Sequence, residues 1–185
     1  MRITTAVVLT LISSCRPEPS SGPDASSFSF RGELVHPGAI QLLVGILADP
    51  MPVVSAVDLE GWSRSEEWEP AQPLGPVTVE WKSEGQTFEY RIVGRTPQGT
   101  FVLKTSESSE TGSGVFENLV FVRLERVNYA DADGPRVQTL VRAVGGVFIG
   151  DREYPEVSMK GSRVVLRRSD SPWATLKTPV EFAVE

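Results

Sequence analysis

Most of the chain after residue 27 consists of short segments in which hydrophobic and polar residues alternate. Val77–Trp81 alternates in this way after the breaker Gly75-Pro76, and Phe88–Ile92 does so after the turn residues Ser83–Gly85. A period of two residues places successive side chains on opposite faces of a β-strand. Further strand-like segments are Phe101–Leu103, Val137–Val144, Val147–Ile149, Glu153–Met159, Arg163–Arg168 and Val180–Val184. The pattern predicts many strands joined by tight turns.

Two segments depart from simple alternation. Val115–Val127 has apolar residues on both faces, which predicts a strand buried on both sides. Gly38–Ala48 has apolar residues at helical spacing, but Gly45 lies inside it and Pro37 and Pro50 flank it. We therefore expect a buried strand there rather than a short helix.

Short strands without alternating helices predict an all-β fold, specifically an antiparallel β-sandwich with a small β-barrel as the alternative. Phe30–Val35, Leu42–Gly45 and Pro97–Phe101 together resemble transthyretin-like or carboxypeptidase-regulatory-like sandwich modules. The resemblance implies a sandwich rather than a barrel. Residues 28–185 are expected to form a single domain, since a chain of this length buries one core.

The first 14 residues have the layout of an export signal. Arg2 is followed by an apolar run over Ile3–Ile12, which is too short for the roughly 20 residues of a membrane-spanning helix. The run ends in Ile12-Ser13-Ser14-Cys15, which resembles the lipobox of bacterial lipoproteins. The alternative is an ordinary secretory signal with a chance cysteine near its end.

The lipobox resemblance implies that Cys15 becomes the acylated first residue of the mature chain, anchored in the membrane of a bacterial cell envelope. Arg16 stands where an inner-membrane lipoprotein of a Gram-negative cell often has Asp, which favours the outer membrane. Residues 15–27 are rich in Pro, Ser and Gly and lack large apolar side chains, so we expect a flexible tether.

Composition excludes several function classes. The net charge of −6 gives no electrostatic attraction to phosphates, so no nucleic-acid partner is expected. One cysteine allows no intrachain disulfide. Gly145-Gly146 lacks the lysine of a phosphate loop and the dinucleotide fingerprint, so no cofactor is expected.

The chain offers few residues for catalysis or metal binding. His36 is the only histidine, precedes a proline and is expected to have a turn role, which leaves no candidate catalytic residue and no zinc site. Asp131–Gly134 is similar to part of an EF-hand loop, but Tyr129 and Leu140 occupy the positions of essential acidic ligands. We expect a hairpin turn and no metal; a loose surface Ca²⁺ site is the alternative.

Two groups of residues are candidate ligand or partner contacts. Trp62 and Trp68 lie in a polar segment predicted to be a loop, where they could stack on sugar rings or, alternatively, fold back over the core. Glu66 and Glu67 belong to the same segment. The basic residues Arg163 and Arg167 could meet anionic headgroups or an acidic partner, with pairing to the acidic segment or solvation as the alternative.

The expected function is a lipid-anchored, non-enzymatic interaction or assembly module of the cell envelope. Its partners would be the membrane, through Cys15, and an unidentified envelope protein or glycan. One alternative is a carbohydrate-binding module that uses Trp62 and Trp68. The other is a glycan hydrolase with an acid pair, which needs two carboxylates about 5–9 Å apart in a cleft.

Overall fold

A curled, seven-stranded antiparallel sheet dominates the fold. The computed structural model describes residues 25–44, 54–65, 69–131, 134–170, 172 and 174–184. The strands are β1 (Ser29–Phe30), β2 (Glu33–Leu34), β3 (Ala56–Asp58), β4 (Gln72–Pro73), β5 (Thr78–Ser83), β6 (Gln86–Arg95), β7 (Phe101–Ser109), β8 (Val115–Asp131), β9 (Gly134–Asp151), β10 (Glu156–Lys160), β11 (Arg163–Arg167) and β12 (Val180–Ala183). The helices are α1 (Pro37–Val44) and α2 (Leu59–Ser65), after a 3-10 turn at Ala25–Ser27.

The strands form three sheets. The large sheet has the order β3-β9-β8-β7-β6-β5-β4, and the smaller ones are β10-β11-β12 and the β1-β2 hairpin. All pairings are antiparallel, as the tight turns require. At the predicted Ser83–Gly85 turn, Glu84 and Gly85 have φ of +49° and +76°. Two residues with positive φ form the hairpin turn whose twist matches the flanking strands.

One face of the large sheet packs under the N-terminal part of the chain. Alternate residues of β5 to β8 point to this face and meet α1 and the β1-β2 hairpin. Phe28 and Tyr90 are fully buried there in an edge-to-face contact, with ring centroids 5.9 Å apart. The Tyr90 hydroxyl donates to the carbonyl of Val35 at 2.5 Å, which joins the sheet to its cover.

The opposite face is only partly covered, by the sheet β10-β11-β12. Val102 and Leu119 of the large sheet pack there against Val164 and Leu166 of β11. Gly94 permits a close approach, since a Cβ at this position would lie 2.7 Å from the sulfur of Met159. The covered region ends part-way along the strands, and next to it this face carries Glu89, Lys104, Ser106 and Glu117.

Residues 37–44 form a helix, so the predicted buried strand over Gly38–Ala48 is wrong there; residues 45–48 lie outside the described part. Pro37 occupies the first helical position, where its missing N–H is not needed. The side chain of His36 caps the helix, because its Nδ1 accepts the N–H of Gly38 at 3.1 Å. Ile40 and Leu43 point into the core, and Leu42 is 43% exposed.

The predicted polar loop around Trp62 is also wrong in part, because Leu59–Ser65 is helical. The helix begins at an Asp cap: Asp58 Oδ1 accepts the N–H of Glu60 at 3.0 Å. Glu60 then binds β9 through both carboxylate oxygens, which accept the N–H of Thr139 at 2.7 Å and its hydroxyl at 2.9 Å. A polar segment is therefore helical because its acidic side chains satisfy backbone groups.

The β8-β9 hairpin is longer than predicted. The segments Val137–Val144 and Val147–Ile149, which the pattern treats as separate, are one strand whose register shifts at two irregularities. The double burial predicted for β8 is confirmed, since Val120 and Leu119 are buried on opposite faces. Asp131 pairs with Gly134 at the end of the hairpin, as the predicted turn requires.

The structure confirms the predicted all-β antiparallel class. The large sheet is a curled half-barrel, and the three-stranded sheet packs on it as the second layer of a sandwich would. No helix within the described ranges is long and apolar enough to cross a bilayer.

Candidate functional site

A cleft of about 730 Å³ opens where the three-stranded sheet stops covering the large one. Strands β6, β7 and β8 form its floor. Residues Tyr154–Ser158, which include the first residues of β10, form its wall. The polar lining residues are Glu89, Arg91, Lys104, Thr105, Ser106, Glu117 and Arg167, together with Tyr154, Glu156 and Ser158.

The strand register brings the acidic residues into one row. Glu80 pairs with Glu89, Glu89 with Ser106, and Ser106 with Glu117. Residues directly opposite each other on neighbouring strands point to the same face. Because neighbouring strands lie about 4.8 Å apart, the backbones of Glu89 and Glu117 are separated by about 10 Å.

Glu117 is a buried carboxylate in the floor of the cleft. Its side chain is 2% exposed, and its Oε1 lies 2.7 Å from Nζ of Lys104. Lys104 also donates to the carbonyl of Pro155 at 3.3 Å, which connects the floor with the wall. The second oxygen of Glu117, Oε2, is buried and accepts no hydrogen bond from the part of the chain that the structure describes.

Glu89 is half-buried beside this pair. Burial raises the pKa of the Glu89 carboxyl, and the carboxylates of Glu80 and Glu117 raise it further, while Lys104 and Arg91 oppose the rise. Desolvation and like charges both disfavour the ionised form of an acid. Glu89 therefore keeps its proton to a higher pH than an ordinary glutamate.

Tyr154 forms part of the wall in an unusual backbone conformation. Its φ is +44° and it precedes Pro155, although bulky residues and residues before proline both avoid this region. The side chain is 42% exposed and borders the cleft. Residues in such conformations are concentrated at binding and catalytic sites, where the surrounding structure holds them.

The cleft contains one of the two predicted basic contacts. Arg167 lines it, opposite Glu156 in the β10-β11 pairing. Arg163 lies elsewhere and forms an exposed ion pair with Glu181, at 3.1 Å. The lining thus combines three carboxylates with three cations, Arg91, Lys104 and Arg167.

Trp62 lies away from the cleft, against the core on the other face of the large sheet. Its side chain is half-buried, and its ring contacts that of His36 with centroids 5.0 Å apart and the planes tilted by 40°. This packing favours the interpretation in which the tryptophan folds back over the core. Trp68, Glu66, Glu67 and Cys15 lie outside the described residues.

His36 lies at the start of α1 and connects two segments of the chain. Its Nε2 donates to the carbonyl of Glu69 at 3.0 Å while Nδ1 accepts from Gly38, which fixes a neutral tautomer. Trp81 contacts the same ring, with centroids 5.7 Å apart. Burial lowers the pKa of the imidazole.

The sequence interpretation missed Glu89, Lys104, Glu117 and Tyr154. Each of the first three is a charged residue inside a strand and directly follows a large apolar residue, Phe88, Leu103 or Phe116, and this was the available signal. Their meeting depends on the register of three strands, which no local pattern specifies. The position of Tyr154 depends on how β10 docks.

Within the described ranges, no group of three or more His, Cys, Asp or Glu side chains is arranged to hold a metal ion. A comparison of the chain with protein-family models, with curated proteins and with solved structures found no match. Function therefore has to be inferred from the chemistry of the cleft and from the sequence.

Proposed function

We propose that the protein is a lipid-anchored, non-enzymatic module of the bacterial cell envelope that binds another envelope component in the cleft beside β10. The observation that carries the binding part is Glu117, a buried carboxylate with one oxygen left for a further donor. Tyr154 adds an exposed aromatic side chain on the wall of the same cleft.

The anchoring part rests on the sequence. The short apolar run and the Ile12–Cys15 motif resemble a lipoprotein signal, and a polar, Pro- and Ser-rich segment separates Cys15 from the sheets. Twelve residues reach at most about 40 Å when extended. The cleft would therefore meet ligands close to the membrane surface, which favours components of the envelope itself.

Photo-crosslinking in cells tests the binding part. A photoreactive phenylalanine analogue at Tyr154 is expected to give a discrete adduct with an envelope protein or glycan. The same analogue at Tyr129, an exposed tyrosine of the β8-β9 hairpin, is the matched control. Adducts of equal yield at both positions, or none at Tyr154, would remove the cleft as the binding site.

The acid-pair glycan hydrolase is the second candidate, because Glu89 and Glu117 line the same cleft in one row of the strand register. Glu89, with its raised pKa, would act as the general acid, and the carboxylate of Glu117 as base or nucleophile. The separate substitutions Glu89→Gln and Glu117→Gln should then each abolish release of reducing ends from purified cell-wall glycan. Failure of the wild type to release reducing ends would exclude this candidate.

A further inference from the structure

The floor of the cleft lacks one hydrogen-bond donor. Glu117 is almost completely buried, and Lys104 serves only its Oε1. The other oxygen, Oε2, is buried without a partner among the described residues. A buried acceptor left in this way destabilises the fold. A ligand group that donates hydrogen bonds to Oε2 would recover this energy.

The charges around Glu117 favour a cationic donor. Glu80, Glu89 and Glu117 occupy the row across β5 to β8, and like charges directly opposite each other destabilise a sheet. Lys82 contacts Glu80 at 3.2 Å, and Lys104, on the strand between those of Glu89 and Glu117, contacts Glu117 at 2.7 Å. A further cation between Glu89 and Glu117 would relieve the repulsion in the middle.

The two arginines that line the cleft do little to offset the negative charge of the buried Glu117 carboxylate. Arg91 and Arg167 are exposed, so water screens their charge. Tyr154 is exposed on the wall and presents an aromatic ring. Aromatic rings attract ammonium groups and also provide apolar contact for the ring of a sugar.

We infer that the cleft binds an amino sugar with a free primary amine, whose ammonium group lies between Glu117 and Glu89 while Tyr154 contacts the sugar ring. The ammonium supplies up to three donors, one of which Oε2 of Glu117 accepts. Ser106, which lies between the two glutamates in the register, is placed to bind a ring hydroxyl. This inference rests on the proposed function and specifies the ligand class of the same cleft.

Isothermal titration of the purified full-length chain tests the inference with two probes. Glucosamine and N-acetylglucosamine differ in whether the amine is charged, so glucosamine is expected to bind at least about tenfold more tightly. Tyr154→Ala and Glu89→Gln should each weaken glucosamine binding at least about tenfold. Tyr129→Ala changes an exposed tyrosine outside the cleft and should leave the affinity unchanged.

Glu117→Gln is the direct variant, and it is expected to abolish the preference for the charged probe. This substitution also leaves Lys104 without its carboxylate, so thermal unfolding must show that the variant folds. If the variant does not fold, the effects of Tyr154→Ala and Glu89→Gln on glucosamine binding test the inference. Equal affinity for both probes, with the same dependence on Tyr154, would overturn the ligand class but leave the cleft as a binding site. Absence of glucosamine binding, or glucosamine binding that neither Tyr154→Ala nor Glu89→Gln weakens, would also overturn the ligand class. The crosslink at Tyr154 would then test the proposed function separately.

Discussion

Glu117 and Lys104 form a buried ion pair in the floor of the proposed binding cleft. Their side chains are 2% and 16% exposed, so both charges have lost most of their hydration. Well-packed apolar residues often stabilise a core as much as a buried ion pair does, whereas removing one partner leaves an uncompensated charge. The pair therefore contributes a specific arrangement of charge in the cleft more than it contributes net stability.

Removing only the acid should destabilise the protein. Glu117→Ala is expected to lower the free energy of unfolding by about 3 kcal/mol, because Lys104 keeps its charge without a partner. The double variant Lys104→Met with Glu117→Leu should be close to the wild type. Urea unfolding measures the stability of both variants.

Arg142 and Glu125 form a more exposed pair at 2.9 Å and provide the control. Glu125→Ala should change stability by less than about 1 kcal/mol. An equal loss for Glu117→Ala and Glu125→Ala would contradict this account.

Glu89 should destabilise the folded state at neutral pH. A pKa raised by folding adds stability only while the group is protonated; the contribution is complete below the unfolded pKa and is lost as the pH rises through the folded pKa. Glu89→Gln should therefore raise the free energy of unfolding at pH 7 by roughly 0.5 kcal/mol, since solvent screens a half-exposed group. Near pH 3.5 the difference should vanish. Thermal unfolding at the two pH values checks this, and a difference that grows at low pH would contradict it.

Protonation of His36 should destabilise the folded state, so its effect on stability appears as the pH falls rather than as it rises. Burial lowers the pKa of its imidazole in the folded state, so its contribution is complete above the unfolded pKa of about 6.5 and is lost as the pH falls toward and through the folded value. Protonation would also place an N–H against that of Gly38. The melting temperature of the wild type should therefore fall more between pH 7.5 and pH 5.5 than that of His36→Gln. Parallel curves for the two proteins would show that folding does not lower the pKa of the imidazole.

At the scale of elements, alternation predicted the strands well and the helices poorly. Strand positions follow from side-chain burial on two faces, which a period of two residues records directly. Helix α1 has only eight residues, and its apolar spacing fits a buried strand equally well. What decides between them is the cap: His36 and Pro37 begin the helix, and Asp58 does the same for α2. The capping residues are present in the sequence, but they identify the start of a helix only when the backbone N–H groups that they bind are known.

The docking of β10 on β6 depends on the absence of a side chain at Gly94. Gly94→Ala would place a Cβ 2.7 Å from the sulfur and 3.3 Å from the Cβ of Met159. We expect a loss of about 1–3 kcal/mol in urea unfolding, as for other overpacked contacts. Met159→Ala in the same chain should restore part of the loss. Gly75→Ala, where a Cβ would meet nothing within 4 Å, is the control. Similar losses for the two glycine variants would mean that close packing at β10 is not the cause.

At the scale of the whole molecule, the sequence predicted the antiparallel class but not the cleft. The two faces of the large sheet have different covers, and the cleft exists because the second cover is short. Glu89, Ser106 and Glu117 are adjacent through register, and Tyr154 reaches them through the docking of a separate sheet. Neither relation can be derived from the spacing of residues along the chain.

The central claim is that this cleft operates at a membrane to which Cys15 anchors the chain. The most direct test is the intact mass of the protein recovered from membrane and soluble fractions of a Gram-negative host, beside Cys15→Ser. Cleavage before Cys15, added acyl mass and a membrane location, all lost in Cys15→Ser, are the predicted result. If both forms are soluble and carry no acyl mass, the protein is not a lipid-anchored module.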